Sequence, residues 1–358
     1  VLVTLLFATA AVIAFVEKAG DDLIVPSRDA TAQRLRQEAY SSLEVTLAVL
    51  EDFRLVNNGL HSPAEGWSDP LGFAGWTPRD GCTVEVSFED ESGKLSLPHI
   101  DQATFKNLFE QWSISRTDAD KLTDVLLAWM KKDYVASART PDYEQSALPY
   151  TAPLRPMRTY AELAAIDFAR DVFYDRDGRP NELWRRFAST ISLLDFQKTN
   201  LNSAGGDAVV ALGQLDRSQQ QQLTNYLNGT GDRARSGPSF FQSTADAAKT
   251  LGVSALPNAY GTEISALRIN VTVHQGRSAF RLSTVVAPTG GATTVKGMAQ
   301  TNQLTTTTNS AANSSTPTPA TAAAAGTDAT KKLNYPFTLL EIKENAEISS
   351  SAVSPNKA

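Results

Sequence analysis

The sequence predicts an α+β protein: a long N-terminal helix, an antiparallel sheet packed on it, and a large all-α domain inserted into that sheet. Three observations carry this. Residues 1–16 contain no charged side chain. Period-two alternation of apolar residues appears in two places far apart, near 83–97 and again from 266. Between them the apolar spacing is helical for roughly 160 residues, enough for a domain of its own.

The apolar start comes first. Leu2, Leu5, Leu6, Phe7, Val12 and Phe15 dominate it, interrupted only by Thr4 and Thr9, and Glu17, Lys18, Asp21 and Asp22 come immediately after. As a helix the run rises roughly 24 Å, a little short of a bilayer core. Opening on Val1, the chain reads as a processed product. The apolar pattern continues past the Ala8-Thr9-Ala10-Ala11 run, which speaks against a cleaved signal peptide. A retained single-pass membrane stem over 1–25 is the expectation. Asp21, Asp22 and Pro26 are expected to break or kink the stem from the next helix.

That second helical stretch carries Leu35, Ala39, Leu43, Leu47 and Leu50 at steps of three and four, with Val45, Val49 and Phe53 beside them. Asn57-Asn58-Gly59 is its stop signal. Val84, Val86 and Phe88 then alternate with Glu85 and Ser87, and after a turn Leu95 and Leu97 are expected to continue the same strand pattern. The returning strands carry Leu267, Ile269, Val271 and Val273, then Phe280, Leu282 and Thr284 after a Gln275-Gly276 turn, and a last strand covers 337–342. Each has one apolar face, so all should share one antiparallel sheet packed on the helix near 28–56.

In the insertion, Phe105, Leu108, Phe109 and Trp112 fit one helical face, and Leu122, Val125, Leu126 and Trp129 fit another. Thr117 with Asp120, Thr159 with Glu162 and Ser243 with Asp246 look like helix N-caps. Residues 288–332 are rich in Thr, Ala, Ser, Asn and Gly and cannot bury enough apolar area to offset their ordering entropy. The expected organisation is therefore a stem at 1–25, a helix with first strands at 26–97, an inserted α-domain at 98–260, returning strands at 261–348 containing the 288–332 loop, and a loose tail at 349–358.

Composition narrows the function. The net charge of −6 offers no electrostatic footprint for nucleic acid or anionic lipid. Cys82 is the only cysteine, so no internal disulfide can form, and His61, His99 and His274 lie far apart without metal-ligand spacing. No nucleophile elbow, metalloprotease helix, P-loop or dinucleotide fingerprint is present. Asp90 and Glu91 are the only carboxylate pair worth weighing for catalysis, and a strand-turn position explains them, so no enzyme is expected.

The insertion also holds a weak repeat. Lys94-Leu95-Ser96-Leu97-Pro98 and Lys198-Thr199-Asn200-Leu201-Asn202 each precede a helix, a hairpin and a second helix. Helix-hairpin-helix units that bind nucleic acid aim backbone N–H groups of a glycine-rich hairpin at a phosphate. Neither hairpin here has that turn, and Asp216 would repel a phosphate. A membrane-anchored DNA-binding module is thus the alternative reading, with compact packing the simpler account of the repeat.

Together the stem, the long helix, the turn Asp90-Glu91-Ser92-Gly93-Lys94, the segment Lys198-Thr199-Asn200-Leu201-Asn202-Ser203-Ala204 and the closing strands resemble the K-type minor pseudopilin of the bacterial type II secretion system. The resemblance implies a pilin-like fold with an inserted α-domain. Its family motif falls on Asp90, Glu91, Gly93, Lys94, Asn200, Asn202 and Ala204. It also implies a place at the pseudopilus tip, initiating or capping assembly for export across the outer membrane. Implied partners are the I-type and J-type minor pseudopilins, the major pseudopilin and the inner-membrane assembly platform; the body would be periplasmic and the stem in the inner membrane. Pilin-like subunits generally carry an early glutamate in the stem; this chain has no carboxylate before Glu17, as the K-type resemblance implies for a subunit with nothing above it. The family's calcium site is implied near Asp133, Asp142 and Glu144. Yet Lys131 and Lys132 intrude, and three acids fall short of the six to eight oxygens that calcium takes.

Overall fold

The computed structural model describes residues 2–137, 141–145, 149–230, 239–295 and 336–345, with side chains from Ala30 onward. Helix α1 runs unbroken over Leu2–Asn57. The expected break at Asp21, Asp22 and Pro26 is thus corrected. Proline removes one N–H and crowds one carbonyl, and turns on both sides can carry a long helix through that defect. Among the described residues no helix is long and apolar enough to cross a membrane. The side chains of Leu2, Leu5, Leu6, Phe7, Val12 and Phe15 lie outside the described residues.

From Leu35 on, α1 buries one stripe. Leu35, Ala39, Leu43, Val49 and Leu50 pack against Ile269, Val271, Val273, Leu282 and Val286 of the sheet. Ser42 and Thr46 also lie on the buried side. Their hydroxyls donate to the carbonyls of Glu38 and Ser42, both at 2.7 Å, so neither is left unsatisfied. The helix ends at Asn57, and Asn58 just beyond it takes a φ of +55° before Gly59. A short helix α2, Pro70–Phe73, comes next, and Trp67 stands edge-on to Phe88 with ring centres 4.9 Å apart.

The main sheet has four strands in the order β1-β6-β7-β8, all antiparallel: β1 Thr83–Asp90, β6 Leu267–Gln275, β7 Ser278–Pro288 and β8 Phe337–Glu344. Val84, Val86 and Phe88 face Val273, Val271 and Ile269 across the β1–β6 ladder, so the expected apolar face is the one that meets α1. Gly276, at φ +58°, turns the β6–β7 hairpin, a conformation that side chains other than glycine adopt at a cost. β8 joins the far edge of β7 with a bulge between Val285 and Val286. Residues 296–335, most of the low-complexity loop, lie outside the described residues, as does the tail from 346.

One strand expectation is wrong. β1 stops at Asp90, and Glu91–Gly93 form a turn of 3-10 helix. Leu95–Ser96, strand β2, then pairs in parallel with β3, Ile191–Ser192, outside the main sheet. Leu95 and Leu97 point into the inserted domain, not onto α1. Alternation cannot show that the chain turns between two apolar layers.

The insertion contains α3 Gln102–Gln111, α4 Arg116–Met130, α5 Ala169–Phe173 and α6 Glu182–Thr190 around one core, with Phe105, Leu108, Phe109, Leu122, Leu126, Phe173 and Phe187 inside it. A second core forms under α7 Gly206–Leu212, α8 Arg217–Leu227 and α9 Thr244–Leu251, built on Leu201, Val209, Leu223, Phe241 and Tyr260. Strand β4, Thr199–Asn200, pairs in parallel with β5, Tyr260–Gly261. The two units therefore share a plan: each opens just after a lysine on a two-residue parallel pair. Caps hold the helices, with Asp216 and Gln219 forming a reciprocal capping box and Ser243 accepting from the Asp246 N–H. For α4 the cap is Ser115 with Asp118, two residues before the expected Thr117.

Ile269→Ala in the sheet and Phe109→Ala in the insertion both remove fully buried side chains. Each is expected to cost about 2–5 kcal/mol, read as a lowered urea midpoint.

Candidate functional site

The motif residues converge where β1 leaves the sheet. Asp90 ends β1, and among the described residues no cation lies against its carboxylate. One oxygen accepts from the Ser92 N–H at 2.8 Å and the Ser92 hydroxyl at 2.5 Å. The other accepts from Asn200 Nδ2 at 2.7 Å and from the Ser203 hydroxyl. Asn200, in β4, also donates to the His61 carbonyl at 3.2 Å. The main sheet, the loop after α1 and the second helical unit thus meet at one buried side chain.

Asn202 continues the link. Its Nδ2 donates to the carbonyls of Phe241 and Thr262, each at 2.9 Å, and its Oδ1 accepts from the Phe241 N–H at 2.7 Å. Ala204 packs against the second core. Gly93 is required by contact. A Cβ there would lie 2.7 Å from the Ser203 carbonyl oxygen and 2.5 Å from its hydroxyl, closer than real Cβ atoms come. Beside this loop His61 Nδ1 lies 2.6 Å from a Glu65 oxygen, and Trp67 Nε1 donates to the other at 2.8 Å.

Glu91 faces a different set of partners. It is 3 % exposed and is held by Arg268 Nη2 of β6 at 2.7 Å and by Lys94 Nζ at 3.1 Å. Lys94 also reaches Glu89 at 2.7 Å, and Arg268 reaches Glu341 of β8 at 3.0 Å. Burial works to raise the Glu91 pKa, but Lys94 and Arg268 outweigh it and hold it below the ordinary glutamate value. For Asp90 burial prevails over its four donors, and its pKa lies above the ordinary aspartate value. The two acids therefore respond to pH with opposite sign. The Glu91 contribution is present above its unfolded value and is lost as pH falls through the depressed one. The Asp90 contribution is complete at low pH and is lost as pH rises through the raised one.

The calcium candidates do not come together. Asp142 accepts from the Glu144 N–H at 3.1 Å and from Gln145 Nε2 at 2.7 Å, closing a local turn. Asp133 and Glu144 are exposed. Among the described residues no group of three or more His, Cys, Asp or Glu side chains could hold a metal ion. Aromatic packing ties this loop down instead. Tyr143 and Tyr150 stack at 5.0 Å, and the Trp129 ring meets them at 5.4 and 6.2 Å. Lys131, the intruding lysine, donates to the Ile100 carbonyl at 3.0 Å.

The two helical units face each other. Asp207 of α7 accepts from Trp112 Nε1 at 2.8 Å and pairs with Arg186 at 2.6 Å, while Asn107 of α3 donates to the Ala211 carbonyl at 3.1 Å. Asp216 caps α8. Sequence reasoning missed His61, Ser92, Ser203, Arg268 and Glu341 as members of the junction. Ser92 and Ser203 lay inside the motif strings. Arg268 had one usable sign, a cation in the first turn of a strand whose inward residues are apolar.

A helix laid on an antiparallel sheet, with an α-domain spliced between its first and second strands, defines a pilin-like protein with an enlarged head. Residues 89–176 match the family model described as type II secretion system (T2SS), protein K. Among solved structures the chain is similar to a chain of the GspK–GspI–GspJ complex from the enterotoxigenic Escherichia coli type 2 secretion system. The TM-score is 0.50 at 11 % identity, over 73 % of this chain and 94 % of that one. No curated protein matches the sequence. The segment match and the fold likeness both agree with the resemblance to the K-type minor pseudopilin.

Gly93→Ala is expected to cost about 1–3 kcal/mol by overpacking, and shortening Ser203 as well should not restore the wild-type value, because the Ser203 backbone oxygen still lies 2.7 Å from the added carbon. Arg268→Ala leaves Glu91 without the guanidinium whose Nε and Nη2 both meet Oε1, and should cost about 3–5 kcal/mol at neutral pH. Denaturation from pH 7 to 3 should show that difference shrinking below about pH 4, where glutamate protonates in the unfolded chain. Unfolding curves with and without a chelator are expected to superimpose; a midpoint lowered by chelation would restore a metal to the loop around Asp142.

Proposed function

We propose that this chain is a minor pseudopilin that sits at the tip of the type II secretion pseudopilus and initiates or caps its assembly. One observation supports the tip position above others. The inserted α-domain is tied to the sheet through the buried Asp90–Asn200 contact, and Glu91–Arg268 fixes the turn from which it departs. A shaft position repeats one interface indefinitely, and an extra domain on every copy would have to be accommodated at each step. At an end it meets no such demand.

In this reading residues 1–25 are a single-pass stem in the inner membrane, the body is periplasmic, and the role is structural rather than catalytic. The partners are the I-type and J-type minor pseudopilins, in keeping with the complex in which the similar fold was solved. The apolar side chains Leu2, Leu5, Leu6, Phe7, Val12 and Phe15 pack among neighbouring stems. The family motif serves the junction, not a ligand. The second described hairpin gives no support to the DNA-binding alternative, since its Asp216 caps α8 where a phosphate would have to approach.

Crosslinking along assembled pseudopili is the deciding experiment. One copy at an end is expected; regular spacing along the shaft would remove the tip reading. Leu6→Lys should cost about 2.5–3.5 kcal/mol of insertion and abolish co-assembly. Deleting residues 1–25 should release a soluble body with an unchanged unfolding midpoint.

A further inference from the structure

The two edges of the main sheet differ. β8 carries the usual protections: a bulge between Val285 and Val286, and the charged residues Glu341, Lys343 and Glu344 along its length. Arg36 and Tyr40 of α1 further clamp Glu344, at 2.7 Å each. β1 is charged too, at Glu85, Glu89 and Asp90, but Glu89 and Asp90 are committed to partners within the chain and the strand has no bulge. It pairs with β6 over Thr83–Asp90 in unbroken register, with no proline and no lysine. Its backbone groups on the outward side make no hydrogen bond to another described residue. Such an edge is a template for one more strand, and natural proteins seldom leave one open without use.

The side chains of β1 state what that strand must carry. Val84, Val86 and Phe88 are only half-buried although their β6 partners Val273, Val271 and Ile269 are buried completely. Apolar area therefore remains open on the outer flank of the same layer. On the other face Glu85 is exposed, sits opposite neutral Thr272 and forms no ion pair with a described residue. Glu89, further along, is already committed to Lys94.

We propose that β1 is a docking edge for an extended strand of a neighbouring pseudopilin, with apolar residues on the α1 side and a basic residue placed against Glu85. The inference rests on the assembly role above and adds its geometry. Main-chain hydrogen bonds supply the attraction, while the flanking valines, Phe88 and Glu85 choose the register.

The test uses the full chain purified with co-expressed I-type and J-type minor pseudopilins, and amide exchange along β1. In the complex, the outward amides of β1 should exchange at least tenfold more slowly than in the chain alone. Glu85→Arg should weaken co-purification about tenfold, whereas Glu85→Gln should weaken it less. Proline scanning over Glu85 and Val86 adds a second readout. At the position whose N–H points outward, proline leaves the sheet intact and blocks docking. If the complex forms and the β1 amides stay unprotected, the edge proposal is overturned while the assembly role stands. If no complex forms with either partner, both fall.

Discussion

The buried turn after β1 is the constraint on which the remaining architecture depends. Two adjacent acids, Asp90 and Glu91, leave the sheet edge and are satisfied by different parts of the chain. Asp90 takes its donors from Ser92, Asn200 and Ser203. Glu91 takes Lys94 and Arg268. An ionised carboxylate buried without partners would be costly, so the turn can form only when the second helical unit and the returning strand are both in place. That requirement makes a domain inserted at residue 91 part of the body rather than a separate bead.

The cores themselves are separate. One lies between α1 and the sheet, and two lie within the insertion, one for each helical unit. A small cluster of Phe196, Ala266, Val285, Ala287 and Ala292 is the apolar contribution at the seam. Apolar contact of that size does not orient two domains by itself. Directional contacts do, and asparagine suits the task because its side chain donates and accepts at once. Asn200 and Asn202 each use that property to bind loops from distant parts of the sequence.

Polar economy also explains the two helical units. Their matching entry, a lysine followed by a two-residue parallel pair, gives each a fixed starting direction. α3 then packs against α7, with Asn107 donating to the Ala211 carbonyl. In the loop after α4, stacking of Trp129, Tyr143 and Tyr150 ties down a segment in which the acids stay apart.

Taken alone, the sequence determined those features that depend on periodicity and composition. These are the apolar stripe Leu35, Ala39, Leu43 and Leu50, the one-sided strands around Val86, Val271 and Leu282, and the helices around Phe105 and Leu126. It also determined that Asp90 to Lys94 and Asn200 to Ala204 are marked segments, through resemblance and not through any local rule. Only the tertiary structure decided that the two segments touch, because a hydrogen bond between residues 110 positions apart leaves no periodic trace. It likewise decided that α1 continues through Pro26 and that Leu95 turns away from the sheet. Propensity fixes neither a proline inside a long helix nor an apolar residue between two layers; the neighbouring turns and the competing cores do.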